Sequence, residues 1–103
     1  MKEIDVQNSI RLALTPHAVV FRANVGTFKT ADGRTVTTGL PAGFSDLFGF
    51  RKSDGRIFFI EVKNAKGRAS EKQLHFIDMM KQHGAIAGIA RSADEAIQLI
   101  TEG

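Results

Sequence analysis

Apolar residues recur at helical spacing near the start of the chain, at Val6, Ile10, Ala13 and Leu14, and predict a helix over residues 2–14. Thr15-Pro16 stops it, because proline has no amide proton and biases the residue before it away from helix. Ala18-Val19-Val20-Phe21 then opens a strand expected to run to about Val25, with Gly26 breaking it. Residues 27–38 are rich in threonine and carry Asp32-Gly33 at their middle, which predicts a polar hairpin or an ordered flap. The glycine- and proline-punctuated loop Gly39-Leu40-Pro41-Ala42-Gly43 delivers the chain to a short strand, Asp46-Leu47-Phe48-Gly49-Phe50. Ser53-Asp54-Gly55 turns it back. The return strand, residues 56–63, contains Ile57-Phe58-Phe59-Ile60, apolar on both faces as a covered central strand requires.

Beyond a basic loop at residues 64–69, Ser70-Glu71-Lys72-Gln73 has the spacing of a capping box. Leu74, Phe76, Ile77, Met79 and Met80 carry the following helix to Gly84. Residues 85–90 read as a buried strand, and Ser92-Ala93-Asp94-Glu95 as a second capping box opening a final helix through Ala96, Ile97 and Ile100. The order is helix, strand, polar hairpin, two strands, helix, strand, helix. It predicts an α/β sandwich, a central mixed sheet flanked by helices. The connection from Lys63 to Ala85 passes through a helix, so it should be a right-handed crossover between parallel strands.

Length adds one constraint: 103 residues suffice for a single hydrophobic core, so residues 1–103 are expected to form one domain. Hydrophobic residues at 43% and charged residues at 24% are ordinary for a globular protein, which argues against disorder or a fibrous class. No apolar run approaches membrane-spanning length, and acids occupy the N-terminus where a signal peptide needs an apolar block. The expectation is a protein that neither spans a membrane nor is secreted, with a cytoplasmic location. Cysteine is absent, so any metal must use oxygen or histidine ligands. A net charge of +3 permits a polyanionic partner, and Lys63, Lys66, Arg68 and Lys72 concentrate positive charge in one short stretch. A solvated charged loop explains the same stretch with no ligand at all.

The chemistry centres on Glu61 and Lys63. Strand residues two apart share a face, so both point the same way as Ile57 and Phe59, toward a covered side of the sheet. Burying a carboxylate and an ammonium there requires an ion pair, an open strand end or a ligand. The plain alternative is that the strand ends at Ile60 and both charges are solvated. Asp46 enters through register. A two-residue Asp54-Gly55 loop would set it opposite Lys63 and on the face of Glu61, whereas a three-residue loop from Ser53 would send it to the other face. Two carboxylates beside a lysine suit a hard divalent cation, Mg2+ or Mn2+, and phosphodiester chemistry.

At these residues the sequence resembles the PD-(D/E)XK nuclease superfamily, and more narrowly a stand-alone VRR-NUC domain. The stretches that carry the resemblance are Phe21-Arg22-Ala23-Asn24-Val25-Gly26, Gly43-Phe44-Ser45-Asp46-Leu47, Phe59-Ile60-Glu61-Val62-Lys63, and Gly67-Arg68-Ala69-Ser70 followed by Gln73. Ser45 departs from the proline that the superfamily's name implies. The resemblance implies a restriction-endonuclease-like fold, with metal held by Asp46, Glu61 and the Val62 carbonyl and with Lys63 catalytic. It directs attention to Gln73 as a further site residue and to Glu3 as a further acid. Either also has a local explanation: Gln73 as the partner in the Ser70 capping box, Glu3 as a first-turn glutamate favoured by the helix dipole. Glu3 extends the stripe of Gln7, Ile10 and Leu14 on the first helix.

On the same resemblance, Lys66, Arg68 and Lys72 border the metal and hold the DNA backbone, with Arg22 and Asn24, and then Lys29 and Arg34, as weaker candidates. His17, His75 and His83 share no motif and read as surface or helix-end residues. Phe44, Phe48, Phe50, Phe58, Phe59 and Phe76 read mostly as core, with Phe44 alone loop-borne and a candidate for contact with a base or the backbone. The implied activity is a DNA endonuclease selective for branched DNA such as a Holliday junction, acting as a homodimer in a bacterial or virus-infected cell. Two other readings stay open: a non-catalytic nucleic-acid-binding module that keeps the fold, and an α/β domain with no nucleic-acid role.

Overall fold

The computed structural model describes residues 1–25 and 27–103. Among the described residues three helices and six strands follow in the order α1 (Glu3–Leu14), β1 (Ala18–Arg22), β2 (Thr27–Lys29), β3 (Thr35–Thr37), β4 (Leu47–Arg51), β5 (Ile57–Val62), α2 (Glu71–Gln82), β6 (Ile86–Ala90) and α3 (Ala93–Glu102). Strands β1, β4, β5 and β6 form one sheet in that spatial order, antiparallel except for the parallel β5–β6 pair. The polar hairpin is present as a separate two-stranded sheet, with Thr27 opposite Thr37. This is the expected mixed-sheet α/β sandwich, in keeping with the restriction-endonuclease-like fold. The first strand is shorter than its sequence suggests and ends at Arg22; the break assigned to Gly26 lies outside the described residues.

Strand β5 is central and covered on both sides, which is why its apolar run does not alternate with polar residues. Phe58, Ile60 and Val62 are fully buried against Val6, Ile10 and Leu14 of α1 and Ala96 and Ile100 of α3. Phe59 faces the other way, into a smaller cluster with Phe76 and Ile77 of α2 and Ala87 of β6. Phe44 belongs to this second cluster: its ring centroid lies 5.7 Å from Phe48, 5.7 Å from Phe59 and 4.8 Å from Phe76. Phe44 is thus loop-borne, as expected, and packed on three other rings while still half-exposed.

The turn between β4 and β5 differs from the two-residue loop considered from the sequence. Arg51 donates its amide to the Arg56 carbonyl at 2.9 Å, so the loop is Lys52-Ser53-Asp54-Gly55. Asp54 organises it, accepting the Arg56 amide at 3.1 Å and the Arg51 guanidinium through both carboxylate oxygens. That guanidinium holds the Asp54 carboxyl well below the usual carboxylate range. Its Nη1 also donates to the Ile100 carbonyl at 2.7 Å and the Gly103 carbonyl at 3.0 Å, satisfying the end of α3. A four-residue loop differs from a two-residue one by an even number, so the facing of Asp46 is kept while its partner changes. The register runs Leu47–Ile60 and Phe48–Phe59, which brings Asp46 level with Glu61 and not with Lys63.

The capping predictions divide. Ser70 accepts from the Gln73 amide at 3.2 Å and Gln73 Oε1 accepts from the Ser70 amide at 2.8 Å, a complete box. Ser92 accepts from the Glu95 amide at 3.1 Å, but Glu95 reaches one residue further back, to the Arg91 amide at 2.8 Å. Only half of the second box forms.

Gly43 explains part of the G-x-x-D spacing. Its φ is +92°, and an added Cβ would lie 2.6 Å from the Lys72 carbonyl oxygen in the first turn of α2. Glycine lets the loop close on α2, and that closure sets Phe44 among the aromatic rings and Asp46 at the head of β4. Gly43→Ala is expected to cost about 2 kcal/mol of stability. A denaturant titration checks this.

Candidate active site

Strand β5 ends at Val62, so Glu61 is the last polar position inside the sheet and Lys63 the first beyond it. Glu61 is only 1% exposed. Its Oε1 accepts a hydrogen bond from Gln73 Nε2 at 3.0 Å and lies 4.0 Å from Lys63 Nζ. Its Oε2 is buried with no hydrogen-bond partner. Gln73 therefore serves two purposes, closing the α2 cap with its oxygen and holding Glu61 with its nitrogen.

Asp46 reaches the same place from the antiparallel neighbour. Its main-chain carbonyl accepts from Ala23, continuing the β1–β4 pairing, and its Oδ2 accepts the Val62 amide at 2.8 Å. Two carboxylates thus stand at facing positions on one side of the sheet. Facing like charges repel, and burial disfavours ionisation further. The Glu61 carboxyl is pushed up to about 9 by burial first, then by Asp46, with Glu3 adding to the effect and the Lys63 ammonium opposing it. A site that leaves one buried carboxylate oxygen unpaired and a second acid opposite it suits a cation. Asp46 and Glu61 are hard oxygen donors of the kind Mg2+ and Mn2+ prefer. Among the described residues no group of three or more acidic or histidine side chains gathers to form a complete cage. Two carboxylates plus main-chain, water or phosphate oxygens are what this site offers.

Glu3, half-buried at the start of α1, borders the cluster: a Cβ built on Gly67 would sit 3.5 Å from its Oε2 and 3.3 Å from the Lys63 side chain. Lys66, Arg68 and Lys72 are exposed, as are Arg22 and Asn24. Arg22 and Asn24 line a cleft of about 610 Å³ together with Asp46, Gln73, Gly43 and Phe44. His17, His75 and His83 are exposed, and His83 Nδ1 lies 2.8 Å from the Met79 carbonyl at the end of α2. Lys29 and Arg34 lie on the hairpin side of the molecule, where Arg34 pairs with Asp32 at 3.1 Å.

One residue with a part in this region has no motif to announce it. Arg91, just past β6, donates Nη1 to the Asn64 carbonyl at 2.7 Å and the Gly67 carbonyl at 2.6 Å, pinning the loop that carries Lys66 and Arg68. The available signal was a lone arginine in an otherwise acidic C-terminal stretch.

Against known families, the VRR-NUC domain matches residues 29–94, more than half of the chain. The chain belongs to the VRR-NUC domain family. That is a nuclease family, and it implies DNA as the substrate. The VRR-NUC match spans Asp46, Glu61, Lys63 and Gln73 and begins after α1 and β1, so the sequence candidates Glu3, Arg22 and Asn24 lie outside it, as does Gln7, to which the sequence assigned no role at the site. No individual curated protein matches the chain. Among the described residues no helix is long and apolar enough to cross a membrane.

Proposed function

We propose that this chain is a divalent-cation-dependent endonuclease that hydrolyses DNA phosphodiester bonds at the Asp46–Glu61–Lys63 cluster, in the manner of the PD-(D/E)XK superfamily. The observation that carries the reading is the buried Glu61 with one oxygen unpaired, level with Asp46 and flanked by Lys63 and Gln73. Asp46, Glu61 and the Val62 carbonyl would hold the cation, with Glu3 near enough to add a carboxylate through water. When bound, Mg2+ or Mn2+ would polarise the phosphoryl group and lower the pKa of an attacking water.

The side chains divide the remaining work. Asp46 is fixed by the Val62 amide, and Glu61 by Gln73, so neither carboxylate must reorganise when substrate arrives. The Lys63 ammonium, held near Glu61, orients the attacking water and stabilises negative charge as the phosphorane forms. Lys66, Arg68 and Lys72 contact backbone phosphates, and Arg22 and Asn24 meet the strand where it enters the cleft. A branched substrate with two-fold symmetry, such as a Holliday junction, would suit a homodimer.

Cleavage of junction, flap and linear duplex DNAs with EDTA, Mg2+ and Mn2+ tests this, with light scattering for the oligomeric state. Cation-dependent cleavage favouring branched DNA by a dimer is the expected result. A strict monomer with no preference for branches removes the structure-selective part. Salt-dependent binding without cleavage under any cation leaves a non-catalytic DNA-binding module, for which the Lys66, Arg68 and Lys72 patch is enough.

Arg91→Ala is expected to weaken DNA binding roughly tenfold, because the loop bearing Lys66 and Arg68 must then be ordered by the DNA itself. Arg91→Lys should recover little of it, since an ammonium lacks the guanidinium's fixed fork. Fluorescence anisotropy in EDTA checks both variants, and unchanged affinity would show that the loop holds its shape without Arg91.

A further inference from the structure

The inner stripe of α1 is apolar and closely packed at Val6, Ile10 and Leu14, with one interruption. Gln7 is buried to 8% exposure in the same stripe, and its Oε1 has no hydrogen-bond partner. Sealing an amide oxygen away from water without a partner is unfavourable, and a methionine or leucine would fill the same volume with no such cost. Gln7 also lines the cleft that opens on Asp46 and Gln73, beside Arg22 and Asn24. Gln7 therefore stands at the wall of the cleft, and its unpaired oxygen, closed to solvent, would have to turn into the cleft to meet substrate.

We propose that Gln7 is a substrate-binding residue whose amide hydrogen-bonds the nucleotide next to the scissile phosphate. The inference rests on the nuclease reading above and deepens it by naming what occupies the cleft. At about 610 Å³ the cleft is within the range of pockets that take a small organic group, which leaves room for a single nucleotide. An uncharged amide suits this position. It both donates and accepts, matching base edges and sugar oxygens alike, and it adds no negative charge beside Asp46 and Glu61. The partner lost from water on folding is regained only when substrate binds, which makes the interaction a recognition element and not a fold contact.

Gln7→Met and Gln7→Leu separate the two roles. In each, thermal stability in EDTA should equal or exceed that of the wild-type protein, because an unpaired buried oxygen is removed. On the DNA that the wild-type protein cleaves best, kcat/KM should fall roughly 10- to 100-fold, mainly through KM. Unchanged kcat/KM in a folded variant overturns the proposal, as does a loss of activity that only parallels a loss of stability in both. If the wild-type protein binds DNA but cleaves none, the nuclease reading fails separately. Anisotropy then decides Gln7, with about tenfold weaker binding by Gln7→Met expected and equal affinity overturning it. A wild-type chain that neither binds nor cleaves DNA overturns both.

Discussion

Asp46→Asn, Glu61→Gln and Lys63→Ala are each expected to reduce cation-dependent DNA cleavage by a thousandfold or more, about 4 kcal/mol of lost transition-state stabilisation. DNA binding should change by less than about tenfold, since the exposed Lys66, Arg68 and Lys72 remain in place. The three losses should not add, because the residues act on one cation and one water. Asp46→Asn keeps an oxygen for the Val62 amide and Glu61→Gln keeps one for Gln73, so neither breaks the hydrogen bond that anchors its side chain. Lys63→Ala removes the ammonium beside Glu61 and leaves that carboxyl harder to ionise. Single-turnover cleavage beside anisotropy measures both quantities, and wild-type rates in all three variants would sink the site assignment.

A second large effect concerns stability and has the opposite sign. In EDTA, Glu61→Gln is expected to be more stable than the wild-type protein by roughly 3 kcal/mol at neutral pH. Folding lifts the Glu61 carboxyl from 4.5 to about 9, so between those values the folded protein holds a proton that the unfolded chain has released. Stability is therefore greatest below pH 4.5 for this group and falls as pH rises toward 9, by at most about 1.4 kcal/mol per pH unit. Glutamine carries no such linkage, and its amide hydrogen can be donated toward Asp46 where two carboxylates otherwise face each other. Adding Mg2+ should reverse the order, stabilising the wild-type protein and not the variant. Urea titrations across this pH range, with and without Mg2+, give the answer; a wild-type protein with flat pH dependence in EDTA would show that burial and Asp46 do not press on Glu61 as described.

The same residues show how far reading the chain could go. Helix limits, the two-faced apolar strand and the Ser70 cap follow from local spacing and were legible to within a residue or two. The second cap was half legible, because Ser92 acts as expected while Glu95 reaches past it to Arg91. Phe44 was legible as a loop residue, but its ring packing was not. A phenylalanine in a glycine-rich loop gives no local sign that three other rings will surround it.

Asp46, Glu61 and Lys63 mark the division most sharply. Alternation along a strand is a property of the backbone, so once the chain is extended through residue 63 Glu61 and Lys63 share a face, and that much the sequence determined. Which acid faces which depended on the β4–β5 turn. That turn is shaped by Arg51, whose guanidinium ties Asp54 to carbonyls at the end of α3, about half the chain away. No local pattern encodes such a contact. It put Asp46 level with Glu61 instead of Lys63, so that the half-buried Asp46 directly faces the buried Glu61, and it is that register, together with Gln7 and Arg91 brought in from distant elements, that only the tertiary structure decided.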